Sequence, residues 1–250
     1  GRYRVQITQA GFQTSVREDI TLVVGQQLVL NTSLQVGEIT QQVEVTGEAP
    51  LVDTSTAQVA GLVAERQVKD LPLNGRSFDN LITLNPAAVN TSAVSPGASS
   101  STGPGQYFSI GGRRPGENVF LWNGVEFPGG TTGESSTPGG VSGQLLGVDA
   151  VREFNVIPNK DSAEFGHRAG GQVTVVTSSG TNALHGSAFE FLRNSALDAR
   201  NFFDVQNAPN PTPVPPFKRN QFGGTAGGPI QKDKMFIFGN YEGFRERLGL

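Results

Sequence analysis

The sequence predicts a mixed, β-dominated fold in three successive parts: a partial β-sandwich, a small α/β domain, and the first strands of an antiparallel transmembrane β-barrel. Three observations predict it. Apolar residues alternate at period two in many short runs, the mark of strands with one buried face. The 33 glycines and 15 prolines among 250 residues supply turns at close intervals. Only residues 59–84 carry helical spacing, while the C-terminal part is rich in phenylalanine on alternate positions.

Taken in order, Tyr3, Val5 and Ile7 alternate with Arg4, Gln6 and Thr8, and a turn follows at Ala10-Gly11-Phe12. Ile20, Leu22 and Val24 alternate again, and Leu28, Leu30, Leu34 and Val36 predict a third strand ending at Gly37. So few strands cannot close a sandwich core. Residues 39–46 (ITQQVEVT) form a short extended segment broken by Gly47-Glu48-Ala49-Pro50. Val63, Val68, Leu71, Leu73, Phe78, Leu81, Ile82 and Leu84 predict two short helices around Pro72, with Ser77 or Asn74 as a cap. Asn90 to Gly105 and Gly129 to Gly143 read as loops of small residues. Short strands are expected at 108–112 and 119–122, the second entering an Asn123-Gly124 hairpin turn, and again at 148–157 and 171–177. Phe120, Trp122 and Phe127 read as packing for this small domain. Phe189 and Phe191 then share one face of a strand opposite Glu190, although Leu192 spoils the alternation by joining Glu190's side. A polar, Pro-rich stretch over 194–220 predicts a long loop, 221–230 a Gly-rich strand, 231–234 a tight turn, and 235–244 a last strand with Phe236 and Phe238 on one face. A long connection followed by a short one is the asymmetry of outer-membrane barrels, whose lipid face would carry Phe189, Phe191, Phe236 and Phe238.

The run from Leu146 to Gly186 (LGVDAVREFNVIPNKDSAEFGHRAGGQVTVVTSSGTNALHG), preceded by Leu71-Pro72-Leu73-Asn74-Gly75-Arg76 and Phe108-Ser109-Ile110-Gly111-Gly112-Arg113-Arg114, resembles the TonB-dependent outer-membrane receptors. The resemblance is to the Oar-like subgroup with an N-terminal carboxypeptidase-regulatory-like domain, and it rests on the order of several segments along nearly the whole chain. It implies that residues 1–38 are the last strands of a transthyretin-like sandwich, 39–49 a linker, 50–180 a plug domain, and 181–250 the start of the barrel. It also implies a cell outer-membrane location in a Gram-negative bacterium, with the N-terminal part in the periplasm. Within the linker, Val43, Glu44, Val45 and Thr46 match the look of a TonB box, which pairs as an added strand with the TonB energy-transducing complex. Because strand addition asks only for an accessible backbone edge, Val43 and Val45 fit a strand of the sandwich or of the plug sheet equally well. Arg113 and Arg114 are candidates for plug–barrel contacts through charge-assisted bonds. The chain departs from the family in having Gly111-Gly112 where Arg-Gly is commoner, Asn123-Gly124 for Asp-Gly, and Ser178-Ser179-Gly180 for Lys-Ser-Gly.

The function so implied is ligand-gated import of a scarce nutrient through the outer membrane; the alternative is a surface structural or adhesion protein that uses the same plugged barrel without uptake. Siderophore, cobalamin, glycan and peptide remain open as the extracellular ligand. No catalytic constellation is legible. With zero cysteines, and with His167 and His185 the only histidines, no zinc set forms, so the regulatory-like domain implies no peptidase. Asp53, Asp70, Asp79, Asp149 and Asp161 are scattered, and no nucleophile elbow, phosphate loop or dinucleotide fingerprint is present. No cofactor is expected. A net charge of −3 without basic blocks leaves no footprint for nucleic acid. Gly1 in place of an initiator Met, and a stop at Leu250 within a strand pattern, read as an internal piece of a longer chain.

Overall fold

The computed structural model describes residues 2–24, 26, 28–37, 42–44, 61–73, 76–92, 106–127, 147–159, 166, 168–199 and 216–248. The fold is mostly β-strand with few helices. None of its described helices is long and apolar enough to cross a membrane, which says nothing of strands.

β1 (Arg2–Ile7) and β2 (Thr14–Thr21) form an antiparallel hairpin whose side chains Val16 and Ile20 are buried. The third strand of this sheet differs from the one expected. Residues 28–36 make only an isolated bridge, Phe12 to Val36, and the sheet is completed by β3 (Gln42–Glu44), parallel to β2. The Leu28 to Val36 run is apolar on alternate positions, and Leu28, Leu30 and Leu34 are half-buried while Val36 is exposed, yet among the described residues it finds no strand to pair with beyond that bridge.

The central unit is built on a five-stranded mixed sheet. Its members are β4 (Gly61–Val63), β7 (Val119–Trp122), β8 (Val125–Glu126), β9 (Val151–Ile157) and β10 (Gln172–Thr177), in the order β4-β9-β10-β7-β8. Only the β10–β7 pair is parallel. Between β4 and β7 lie the helix α1 (Glu65–Asp70), a 3-10 helix over Phe78–Leu84, and a second small hairpin, β5 (Ala88–Asn90) with β6 (Phe108–Ile110). The helices flank Pro72 as predicted, but the second is 3-10: it presents Phe78, Leu81 and Ile82 to the core, and Ser77 sits at its N-cap position. Asn90, expected to open a loop, instead ends a paired strand, because Val89 lies between Ala88 and Asn90 at strand spacing and the backbone reaches across to Tyr107 through the Thr91 amide.

One core holds this unit together. Val63, Val68, Phe78, Phe108, Ile110, Phe120, Phe154, Val156, Val173 and Val175 are buried in a single cluster, with Leu73, Trp122 and Phe127 packed on its edge. The aromatic expectation for Phe120, Trp122 and Phe127 therefore holds, and Phe78 makes an edge-on contact with Trp122 at 6.3 Å. Fully buried Asn118 rivets two strands through its amide: Nδ2 donates to the Phe108 carbonyl at 2.7 Å and Oδ1 accepts from the Gly171 amide at 3.0 Å. The Asn123-Gly124 turn has φ of 48° and 85°, the double left-handed turn that suits strand twist.

The last element is an antiparallel sheet of β11 (His185–Asn194), β12 (Phe217–Gln231) and β13 (Met235–Leu248). All three strands run longer than expected; β12 starts at Phe217, inside the stretch read as loop, because Lys218, Arg219 and Asn220 pair with both neighbours despite their polarity. The short turn at 232–234 is pinned by Asn182, whose Nδ2 donates to Asp233 Oδ1 at 2.6 Å and whose Oδ1 accepts from the Asp233 amide at 2.8 Å.

Candidate functional site

The central unit meets the three long strands around one guanidinium. Arg76 stands between α1 and the 3-10 helix, with a left-handed backbone (φ 53°) unusual outside glycine. Its neighbours Ser77 and Phe78 are buried, so the core fixes where the side chain leaves the surface. Asp149 is presented by the single turn Val148–Ala150 just before β9, and buried Val148 and Ala150 on either side hold it facing outward from the core. The two pair through Arg76 Nη2 and Asp149 Oδ2, and both side chains are nearly buried.

Each long strand contributes to the other half of the clamp. From β13, Glu242 Oε1 lies 3.5 Å from Arg76 Nε, and only 3% of its side chain is exposed. From β12, Gln221 Nε2 donates to the same Glu242 oxygen at 2.7 Å, and Gln221 is itself buried. From β11, Phe189 and Phe191 present their rings to the guanidinium, with its carbon 4.0 Å and 4.8 Å from the two centroids. Ser187 on β11 also reaches Asp149, its Oγ donating to Oδ1 at 3.4 Å. Close approach depends on two glycines: a Cβ at Gly223 would sit 2.7 Å from the Phe189 ring, and one at Gly147 would collide with Glu242 Oε2. A planar cation flanked by two carboxylates and two rings, with water largely excluded, holds two bodies together.

This arrangement corrects the expected lipid face. Phe189 and Phe191 stack on Arg76 of the central unit, so their face is the inner one. Side chains alternate along a strand, so Phe236 and Phe238 share a face with Glu242, which also points at Arg76. All four phenylalanines therefore lie on the side that faces the central unit. The opposite face carries Ala188, Leu192, Phe222, Ile230, Ile237 and Tyr241, of which Ile230, Ile237 and Tyr241 are each at least 60% exposed. Glu190, whose charge predicts an inward side chain, instead lies on the outer face with Phe222 opposite.

The remaining expected residues are placed as follows. Val43 and Glu44 pair with Ser15 and Val16 of β2, and Val45 and Thr46 lie outside the described residues. Arg113 and Arg114 are exposed at the turn after β6 and form no ion pair among the described residues. The residue that does bridge the two bodies is Arg76. A sequence signal for it existed: Glu242 at even spacing from Phe236 and Phe238 marks that face as one needing a buried cation, since an isolated carboxylate does not sit against lipid.

Residues 176–250 match the model of the outer membrane β-barrel domain, a span that takes in the end of β10 and all of β11 to β13. The chain is 25% identical over 257 aligned positions to the TonB-dependent transporter Oar of Myxococcus xanthus, covering 96% of this chain and 22% of that protein. It therefore spans about a fifth of the length of that curated relative. In fold it is similar to the outer membrane transporter YddB of Escherichia coli, with a TM-score of 0.54 at 16% identity over 76% of this chain and 26% of the other. The chain is thus similar along nearly its whole length to a TonB-dependent transporter, carries the beginning of an outer membrane β-barrel domain at its C-terminal end, and has the outer membrane as its location.

Proposed function

We propose that residues 50–180 are the plug and residues 181–250 the first barrel strands of a ligand-gated receptor that imports a scarce nutrient into the periplasm under drive from the TonB complex. The observation that carries this reading is the Arg76 clamp. A separately cored unit is held against the inner face of long antiparallel strands by charge and ring contacts, with no apolar core shared between them among the described residues. Contacts of that kind let a plug stay seated and still come away, because the cation and carboxylates regain hydration when they part. The linker 39–49 precedes the plug, and its Val43 and Glu44 are already extended beside a strand, in the conformation that strand addition by a periplasmic partner requires. Ligand binds on the long-connection side; force on the TonB box then loosens the clamp and opens a path. Named relatives are a transporter and an outer-membrane transporter, which favours uptake over a purely structural role.

Uptake of siderophore, cobalamin, glycan and peptide by cells carrying the full-length receptor tests this directly. At least one class is taken up, and Val45→Pro abolishes that uptake while leaving barrel assembly intact, because proline removes a donor from the added strand. Assembly without uptake of any class would instead indicate the surface structural or adhesion role, and normal uptake by the proline variant would remove the TonB-box assignment.

A further inference from the structure

The inner wall holds a second guanidinium whose hydrogen-bonding capacity the protein leaves half used. Arg219 lies two residues from Gln221 on β12, so it shares the inner face and stands about 7 Å beyond the Arg76 clamp toward the 195–216 connection. Its side chain is only 17% exposed, Nη1 lies 3.6 Å from Glu246 Oε2, and the Phe244 ring centroid lies 5.5 Å from its Cζ. Nε and Nη2, which form the other edge of the guanidinium, are buried and have no hydrogen-bond partner among the described residues. At this level β12 is paired on both sides, with Arg193 of β11 and Glu246 of β13, so no further strand can supply the acceptor. Arg193 brings a second cation directly opposite; it stacks on Phe217 and meets Asp198 at 3.5 Å, and it has no acceptor to offer. An arginine stays charged, and a buried donor without an acceptor is costly, so this edge calls for an oxygen from outside the wall. Arg219 lines a cavity of about 550 Å³ together with Gln221 and Arg76, and Leu71, Pro72 and Leu73 form its apolar side on the central unit.

We propose that this cavity is a transit site for the carboxylate of a small imported solute, held side-on by Arg219 Nε and Nη2 with the solute's apolar body against Leu71, Pro72 and Leu73. The two oxygens of a carboxylate match the two parallel N–H groups of that edge, which a neutral amide or hydroxyl does not. The site lies in the seam between central unit and wall, one step outward of the clamp. Gln221 joins the two: its amide donates to Glu242 and also lines the cavity, so a carboxylate on Arg219 offers that amide a second acceptor and loosens its hold on Glu242. The proposal rests on the plugged-barrel reading, which makes this seam part of the path inward.

The test uses the full-length receptor in phosphatidylcholine nanodiscs, with para-fluorobenzoate as the probe and fluorine NMR as the readout. Para-fluorobenzoate binds saturably, and para-fluorobenzamide, of the same shape but neutral, binds about tenfold more weakly. R219Q lowers benzoate affinity by about tenfold. R219K keeps the charge against Glu246 but loses the two-pronged edge, so it assembles as the wild type does and still loses most of that affinity. K232Q, in the short turn at the far end of β12, leaves binding unchanged. Para-azidobenzoate, irradiated on the wild-type receptor, labels the peptide containing Leu71 to Leu73, and excess benzoate prevents the labelling. No saturable binding by the assembled receptor, equal affinity for benzamide, unchanged affinity in both R219Q and R219K, or labelling confined to other peptides overturns the proposal. Benzoate binding at this site in a receptor that takes up no solute in cells would remove the import reading and leave the site, whereas uptake without benzoate binding would remove the site and leave the import reading.

Discussion

Arg76 is the residue on which the two bodies depend, and the asymmetry of its partners sets what its loss costs. Removing the cation leaves Asp149 and Glu242 facing each other without compensation in a nearly closed space, and such orphaned buried charges cost about 3 to 5 kcal/mol. Arg76→Ala is therefore expected to lower the stability of the assembled receptor by about 3 kcal/mol in urea titration. Glu242→Gln should cost only about 1 kcal/mol, since the amide oxygen still accepts from Gln221 and Arg76 keeps Asp149. Arg76→Lys should recover less than half of the alanine loss, because an ammonium cannot lie flat between Phe189 and Phe191 while reaching both acids. Equal losses for Arg76→Ala and Glu242→Gln would show that the pair is solvated and the clamp weak. The left-handed backbone at Arg76 costs about 1 kcal/mol for a residue with a Cβ, and it persists because four side chains from two strands and a turn hold the guanidinium in place.

At the scale of elements, strand alternation was legible and strand facing was not. The sequence's period-two runs located β9, β10, β11, β12 and β13 to within a few residues, because each has a wall or a neighbour to satisfy. The run from Leu28 to Val36 shows the same period, half-buries its leucines and forms only a bridge, since alternation sets which side is covered but not whether the backbone meets a pairing edge. Facing was misassigned by weighing one charged residue, Glu190, against two phenylalanines; the longer β13, with Glu242 in phase with Phe236 and Phe238, contains the deciding information. Arg76 itself was visible in its motif, but its partners lie 73 and 166 positions away, and no local pattern connects them. The corrected facing has a measurable consequence. Lysine at Ile237 or Tyr241 is expected to destabilise the barrel in bilayers by about 2 to 4 kcal/mol, whereas lysine at Phe238, on the inner face, should cost distinctly less. The opposite order would restore the phenylalanine face to lipid.

For the whole molecule, the three parts differ in what they need to fold. The central unit has its own core and its own riveting amide, Asn118, so residues 50–180 expressed alone should be soluble, with the slowest hydrogen exchange in β9 and β10. Residues 187–250 alone should aggregate, because both faces of β11 to β13 carry apolar side chains that neither water nor a partner covers, and two edges are unpaired. The most direct test of the account as a whole, a plugged barrel with Arg76 on its inner wall, uses the absence of cysteine from this chain. Single cysteines at positions 235 to 242 of the full-length receptor, with any cysteine outside these 250 residues replaced by serine, are spin-labelled in bilayers and report collision with oxygen dissolved in lipid. A barrel with Arg76 on its inner wall gives high oxygen collision at Met235, Ile237 and Tyr241, and low collision at Phe236, Phe238 and Glu242; a reversed or flat alternation would contradict it.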